Sequence, residues 1–254
     1  MKKAKHRGAS PSFLLSVLTS GLRCDTMLCV KIFSEVLYVR EEIIRAVERE
    51  RIIVILRGVA QEKLIPLAEA MYEGGIRLLE VTYDARGITP DVETAKSIER
   101  LSHHFEGKMH IGAGTVLTEE QVAMTHAAGG AFIISPDACC AVIEKTRALG
   151  MVSMPGALTP TEIQAAHRFG ADFVKIFPVT GLGAEYVKAI RAPLSHIKLL
   201  AVGGVSLENM TDYLKAGVSG FGLGSNIVDK KLLAASDFDG IKRLAESYTS
   251  LVRG

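Results

Sequence analysis

Short apolar runs alternate with longer amphipathic stretches from about Glu41 to the end of the chain. The unit of one run and one stretch repeats at intervals of roughly 20 to 25 residues, and this alternation is typical of strands and helices in a parallel sheet. Eight apolar runs can be counted, at residues 52–57, 77–83, 109–115, 131–136, 152–156, 173–178, 198–204 and 220–227. Eight such units predict an α/β fold, a (β/α)8 TIM barrel in a single domain.

Capping residues mark the expected helix ends. Thr118, Thr159 and Ser206 precede three of the helical stretches as candidate N-caps. Glycines follow five of them, at positions 74–75, 129–130, 150, 170 and 217. An open doubly wound sheet is the alternative fold. Its first strand is usually followed by a Gly-x-Gly-x-x-Gly turn, which the residues from Arg57 to Ala60 do not supply.

The composition and charge of the chain indicate what kind of partner the protein binds. The chain has 254 residues, of which 48% are hydrophobic and 23% charged, enough to bury a large core. Its net charge is only +2 and it has no tryptophan, which argues against a nucleic-acid surface and favours a small-molecule partner. The four cysteines, at 24, 29, 139 and 140, resemble neither a disulfide framework nor a zinc site. A cytoplasmic location fits this cysteine usage.

The first forty residues differ from the rest. Residues 1–40 are expected to be an N-terminal extension that is nonfunctional or poorly ordered, and residues 41–254 to be the barrel domain. A basic start followed by the apolar run 13–18 hints at a signal peptide, but six residues are too few to span a membrane. An upstream start codon, with Met27 or a later codon as the working one, is the favoured explanation, and an export signal is the alternative.

Lys175 interrupts the apolar run 173–178. An unpaired ammonium in a buried strand is costly to desolvate, and strand alternation places this one on the same face as Phe173 and Phe177. Desolvation lowers the pKa of a lysine and makes available the neutral amine that an imine-forming enzyme requires. The alternative is a lysine near a strand end that extends its amine to water.

Glu80 interrupts the second predicted strand in the same way. The barrel would direct Glu80 and Lys175 into one interior, while Arg57, Thr115 and Pro136 end neighbouring strands at the C-terminal mouth, where active sites of this fold lie. Two opposite charges in such a place favour a catalytic pair. An inert ion pair is the alternative, although a buried pair is weak evidence for stability.

Glycine-bearing turns follow the seventh and eighth predicted strands. They occupy residues 203–206 and 222–226, and Ser225 adds a hydroxyl group. The loops at these two places commonly bind phosphate in this barrel, because glycine lets backbone N–H groups approach an anion. The sequence therefore predicts a phosphate site, with ordinary turn geometry as the alternative explanation of the glycines.

Seven short motifs occur in a fixed order along the chain. They are LEVT at 79–82, GAGTV at 112–116, ISP at 134–136, MPG at 154–156, VKIFP at 174–178, GGVS at 203–206 and GS at 224–225. This ordered set closely resembles the motifs of the class I 2-keto-3-deoxy-6-phosphogluconate (KDPG) and 4-hydroxy-2-oxoglutarate (KHG) aldolases. The resemblance extends from about Glu41 to the C-terminus, and its specificity comes from the order of the whole set.

The resemblance assigns roles to individual residues. It implies that Lys175 is the Schiff-base lysine and that Glu80 is the general acid/base. The substrate-binding positions that it implies are Arg57 and Thr115 for the pyruvate carboxylate, Pro136 and Phe177 for the shape of the pocket, and Gly203, Gly204, Gly224 and Ser225 for the phosphate end.

The resemblance also implies an activity. The enzyme would cleave KDPG to pyruvate and glyceraldehyde 3-phosphate, KHG to pyruvate and glyoxylate, or both. It would do so without a metal or cofactor and as a homo-oligomer, a trimer. His103 and His104 are adjacent and do not share a helix face, which favours a surface position over a metal site. The alternatives are another phosphosugar barrel enzyme, such as an isomerase or a 6-phosphogalactonate aldolase, and a noncatalytic ligand-binding barrel.

One position departs from the family pattern. Many members have a carboxylate-binding arginine four residues after the glutamate of strand two, and here that position is Asp84, with Arg86 two residues further on. Some members lack that arginine and use the arginine of strand one. Arg57 is therefore the expected carboxylate ligand, and Arg86 is the alternative.

Overall fold

The computed structural model of the chain describes residues 39–253. Within that range the strands are β1 (Ile52–Leu56), β2 (Leu78–Thr82), β3 (His110–Gly114), β4 (Phe132–Ile134), β5 (Val152–Met154), β6 (Gly156–Ala157), β7 (Val174–Ile176), β8 (Leu199–Val202) and β9 (Gly220–Leu223). The helices are α1 (39–50), α2 (Gln61–Glu73), α3 (Asp91–His104), α4 (Glu119–Ala127), α5 (Cys140–Ala148), α6 (Pro160–Phe169), α7 (Gly183–Arg191), α8 (Met210–Lys215), α9 (Lys230–Ala235) and α10 (Phe238–Arg253). None of these helices is long and apolar enough to cross a membrane.

The strands form a nearly closed parallel barrel. Their order is β5-β4-β3-β2-β1-β9-β8-β7-β6, so the two ends of the sheet, β5 and β6, are consecutive in the chain and separated only by Pro155. Proline has no N–H to donate to a strand ladder. The fifth predicted strand is therefore split into a half that pairs with β4 and a half that pairs with β7. The predicted α/β barrel is confirmed, with one strand in two pieces.

Two apolar layers hold the barrel together. One lies between the strands and the surrounding helices, and the other fills the barrel interior. Ile43, Ile44 and Val47 of α1 belong to the interior layer, beside Phe132 and Phe173. Full burial of each such aliphatic side chain contributes about 1.5–3 kcal/mol to the stability of the fold. Because α1 packs into the interior layer, it closes the N-terminal end of the barrel and leaves the opposite end, the mouth, for a site.

An ion pair links α1 to the segment that precedes β7. Arg40 pairs with Asp172, and the other carboxylate oxygen of Asp172 accepts a hydrogen bond of 2.9 Å from the backbone N–H of Ser153. Residues 39 and 40, the last two of the predicted extension 1–40, belong to α1. The rest of the predicted extension lies outside the described residues.

The structure confirms two of the three predicted N-caps. The hydroxyls of Thr118 and Thr159 accept hydrogen bonds from the first turns of α4 and α6, and Thr159 forms a full capping box with Glu162. Ser206 caps no helix, because α8 begins later, at Met210. The side chain of Ser206 instead donates a hydrogen bond to the carboxylate of Glu208.

Candidate active site

The predicted substrate-binding residues lie just beyond the C-terminal ends of strands. Because all strands are parallel, these ends meet at the mouth. The residues are Arg57 after β1, Thr115 after β3, Pro136 after β4, Phe177 after β7, Gly203 and Gly204 after β8, and Gly224 and Ser225 after β9. Lys175 and Glu80 lie one layer deeper, inside β7 and β2.

Lys175 is a buried amine in an apolar setting. Its side chain is on a strand whose three residues are all buried, and only 8% of Lys175 is exposed. The Nζ atom lies 4.7 Å from the centre of the Phe177 ring. Burial lowers the pKa of Lys175, and the Arg57 cation lowers it further, whereas Glu80 and Asp137 oppose the shift. The net effect favours the neutral, nucleophilic amine.

Glu80 is the matching buried acid, with 3% of the residue exposed. Its Oε1 accepts a long hydrogen bond of 3.4 Å from the hydroxyl of Thr82. A Cβ atom on Gly114 would lie 1.5 Å from Oε1, so the carboxyl group fits over β3 only because that residue is glycine. Burial raises the pKa of Glu80, while Lys175 and Arg57 lower it. The carboxyl group therefore holds a proton more readily than an exposed glutamate does.

The amine and the acid act on each other without a direct ion pair. Each appears among the electrostatic causes of the other's pKa shift. Yet in the described part of the chain no nitrogen–oxygen contact within 4.0 Å joins Lys175 to Glu80. Neither group is therefore held in a direct ion pair with the other, which does not favour the inert ion pair.

Arg57 and Thr115 flank this pair at the mouth. Arg57 is exposed, and its charge acts on the pKa of both Lys175 and Glu80. Thr115 has a φ of 55°, which is uncommon for a residue with a Cβ. Such strained residues cluster at ligand sites, where the surrounding structure holds them in place.

Arg86, the alternative to Arg57 as the carboxylate ligand, is hydrogen-bonded to Asp84. Its Nε donates to Oδ1 of Asp84 at 3.1 Å, and 78% of its side chain is exposed. Hydrogen bonds from the backbone and side chain of Arg86 lower the pKa of Asp84. Arg86 is not among the causes of the pKa shifts of Lys175 and Glu80. The geometry therefore favours Arg57 as the arginine that faces the pair.

Asp137 directly follows Pro136 and does not cap the next helix, because α5 has Cys139 at its N-cap. Asp137 is exposed on the mouth, and its charge acts on Lys175. A signal was present in the sequence, because Asp137 directly follows Pro136, which was already expected at the mouth.

The loops after β8 and β9, residues 203–206 and 224–226, form what we call the anion cradle. Gly203 and Gly204 have φ angles of 89° and 81°, which favour glycine. A Cβ atom on Gly204 would lie 2.6 Å from the hydroxyl oxygen of Thr180, a neighbour that the sequence did not reveal. Among the described residues, the backbone N–H groups of Gly203, Gly204 and Ser225 have no hydrogen-bond acceptor. Such groups suit an anion.

Metal ligands are not grouped in the described range. No set of three or more His, Cys, Asp and Glu residues there could hold a metal ion. His104 instead pairs with Glu69 at 3.0 Å on the outer surface. The chemistry that the described side chains offer is that of an amine, an acid and an arginine.

Comparison with known proteins gives a consistent set of similarities. A family model described as KDPG and KHG aldolase matches residues 43–244. A probable 2-dehydro-3-deoxy-6-phosphogalactonate aldolase of Rhizobium meliloti (strain 1021) is 40% identical over 177 residues, which are 69% of this chain and 81% of that protein. The 2-dehydro-3-deoxy-phosphogluconate aldolase of Treponema pallidum (strain Nichols) is 32% identical over 212 residues, 83% of this chain and 97% of that protein.

One solved structure adds chemical information about a relative. It is the KDPG aldolase of Legionella pneumophila, with pyruvate captured at low pH as a covalent carbinolamine intermediate. It superposes with a TM-score of 0.71 at 30% identity, and the match covers 78% of this chain and 94% of that one.

Proposed function

Because the chain belongs to the KDPG and KHG aldolase family, we propose that it is a class I aldolase that uses Lys175 to cleave a 2-keto-3-deoxy-6-phospho sugar acid. The products are pyruvate and glyceraldehyde 3-phosphate. The observation that carries the proposal is the buried amine of Lys175 beneath the mouth of the barrel, close enough to the buried acid of Glu80 for each to shift the pKa of the other.

The reaction begins at the amine. Neutral Lys175 attacks the C2 ketone to form a carbinolamine, which loses water to give a protonated imine. The C3–C4 bond then breaks, its electron pair moves toward the imine nitrogen to give an enamine, and the C4 hydroxyl becomes the aldehyde as it loses its proton. Protonation of C3 and hydrolysis of the imine release pyruvate and restore Lys175. The pyruvate carbinolamine in the Legionella relative supports this route.

Glu80 carries the protons in this scheme. Its raised pKa suits a group that must both give and take a proton near neutral pH. It donates when the carbinolamine loses water and accepts the proton of the C4 hydroxyl. The missing direct contact with Lys175 leaves room for the reacting carbon, or for a water molecule, between the two groups.

The remaining residues hold the two ends of the substrate. Arg57 suits the carboxylate, because a guanidinium can bind it through two parallel hydrogen bonds, and Thr115 adds a hydroxyl. Pro136 and Phe177 limit the shape of the pocket at the mouth. The anion cradle, with Gly203, Gly204, Gly224 and Ser225, suits the phosphate at the far end.

The assay for this function is the release of pyruvate. The purified protein is incubated with KDPG, with its galactonate epimer and with KHG, and pyruvate is measured by coupling to lactate dehydrogenase. We expect cleavage of at least one phosphorylated epimer, since relatives are named for both. Cleavage of none of the three would contradict the proposal and leave the isomerase or the noncatalytic barrel.

The phosphate should matter for efficiency. We expect kcat/KM for KHG, which lacks a phosphate, to be about two orders of magnitude lower than for the preferred phosphorylated acid. Two hydrogen bonds to a charged group, at about 1.5 kcal/mol each, give a difference of that size. Steady-state kinetics on both substrates measures it, and equal efficiency would show that the anion cradle is not used.

Arg57→Ala should weaken binding more than chemistry. Loss of the carboxylate clamp raises KM by about 10- to 100-fold, the equivalent of one charge-assisted pair, with a smaller fall in kcat. Arg86→Ala is the matched control, since Arg86 is paired with Asp84 and exposed. Steady-state kinetics decides between them. If Arg57→Ala is silent and Arg86→Ala raises KM, the carboxylate is bound from the loop after β2.

The family resemblance also supports a homotrimer, and the cysteine usage supports a cytoplasmic location. Three exposed apolar side chains, Ile88, Val92 and Leu117, lie near the mouth on the β2 and β3 side and offer a surface for a second copy. Cys139 and Cys140 are free thiols, as expected in a reducing compartment.

A further inference from the structure

Two asparagines hold the anion cradle together. The side-chain Nδ2 of Asn209 donates to the carbonyl of Gly204 at 2.9 Å, and its Oδ1 accepts from the backbone N–H of Ser206 at 2.8 Å. The Nδ2 of Asn226 donates to the carbonyl of Val205 at 2.6 Å. Asn209 therefore shapes one loop, whereas Asn226 joins the two loops.

The bond from Asn226 joins the two loops next to their predicted anion donors. Asn226 directly follows Ser225 in the loop after β9, and Val205 directly follows Gly204 in the loop after β8. The N–H groups of Gly204 and Ser225 are thus each one residue from the bond that joins their loops. An anion that is bound from both loops needs these donors at a fixed separation, because a shift of about 1 Å can cost 100-fold in rate.

We propose that Asn226 is a positioning residue that fixes the loops after β8 and β9 as one phosphate-binding cradle and so determines the preference for phosphorylated over unphosphorylated keto acids. The inference rests on the proposed aldolase function. Asn226 acts through Gly203, Gly204 and Ser225, because one N–H of its Nδ2 donates to the Val205 carbonyl and so sets the separation of the two loops.

The position of Asn226 predicts an effect confined to one end of the substrate. Lys175 and Glu80 lie in strands β7 and β2, and neither is hydrogen-bonded to Asn226 in the described structure. Pyruvate has no phosphate. Imine formation between Lys175 and pyruvate should therefore not depend on Asn226, and it provides an internal control.

The test uses Asn226→Leu, which keeps the size of the side chain but removes the amide donor. We expect KM for the phosphorylated substrate and the inhibition constant of inorganic phosphate each to rise about tenfold, the effect of losing one positioned hydrogen bond. We expect kcat/KM for KHG and borohydride trapping of pyruvate to stay within about twofold of the wild type. Asn226→Ala provides the same comparison if the leucine variant does not fold.

A stability control separates positioning from general loosening. Thr118→Ala removes the N-cap of α4, on another side of the barrel, and should lower stability by about as much as loss of a typical cap without changing the ratio of the two substrates. In a double-mutant cycle, Ser225→Ala and Asn226→Leu should be less than additive for the phosphorylated substrate, because both act on one cradle.

The inference and the proposed function fail in different ways. If the wild type traps pyruvate but Asn226→Leu leaves the substrate ratio and phosphate inhibition unchanged, the positioning role is wrong. It is equally wrong if the variant lowers activity on both substrates by the same factor. If the wild type itself neither cleaves a keto acid nor traps pyruvate, the aldolase function is wrong.

Discussion

Lys175→Met should give a folded protein without measurable aldol cleavage. Methionine keeps the length and apolar character of the side chain but cannot form an imine. Burial raises the pKa of Glu80, and loss of Lys175 removes one interaction that lowers it, so the pKa of this buried acid rises further. A higher pKa favours the neutral carboxyl group, which an apolar interior tolerates better than a carboxylate. Circular dichroism and thermal unfolding measure the fold, and pyruvate release measures the activity.

Lys198→Met is the matched control for this substitution. Lys198 precedes β8 at the other end of the barrel, pairs with Glu48 at 2.7 Å and lies 5.4 Å from the centre of the Phe173 ring. The Lys198→Met variant should retain wild-type turnover, because Lys198 does not face the mouth. Turnover by Lys175→Met would exclude an imine mechanism through this residue.

Glu80→Gln should lower kcat by about two to four orders of magnitude, the range that general acid/base groups supply. Glutamine has the same shape, so it should fit over Gly114 as the glutamate does. It can neither give nor take a proton, and both dehydration of the carbinolamine and deprotonation of the C4 hydroxyl become slow. Single-turnover kinetics should show slower formation of the pyruvate imine as well.

Glu48→Gln, at the N-terminal end of the barrel, controls for the loss of a carboxylate. Glu48 is exposed and pairs with Lys198, so its replacement should leave kcat unchanged. A wild-type kcat in Glu80→Gln would mean that another group moves the protons. Asp137, whose charge acts on Lys175 from the mouth, would then be the next residue to replace.

The strands could be predicted from the sequence because each lies in a short apolar run that a longer amphipathic stretch separates from the next. The break in the fifth strand was not predicted, since it depends on the strands that pair with its two halves as much as on Pro155. The predicted run 220–227 was too long for a related reason. The strand ends at Leu223, whereas Ile227 lies in a turn and is still buried. Apolar content alone does not distinguish a buried strand residue from a buried turn residue.

The buried members of the candidate site were also visible in the sequence. Lys175 and Glu80 each place a charge in an apolar strand, which makes them conspicuous. Asn226 and Thr180 lie in loops, where a polar residue is ordinary, and their positions emerge only when loops distant in sequence come together. The choice between Arg57 and Arg86 likewise needed the hydrogen bond of Arg86 to Asp84.

Reductive trapping tests the central claim most directly. The wild-type protein is incubated with pyruvate and borohydride, digested, and analysed by mass spectrometry. The account predicts one carboxyethyl group per chain on the peptide that contains Lys175, no adduct in Lys175→Met, and full labelling of Lys198→Met. An adduct on another lysine, or none on the wild type under conditions where it cleaves its substrate, would contradict the assignment of Lys175 as the Schiff-base residue.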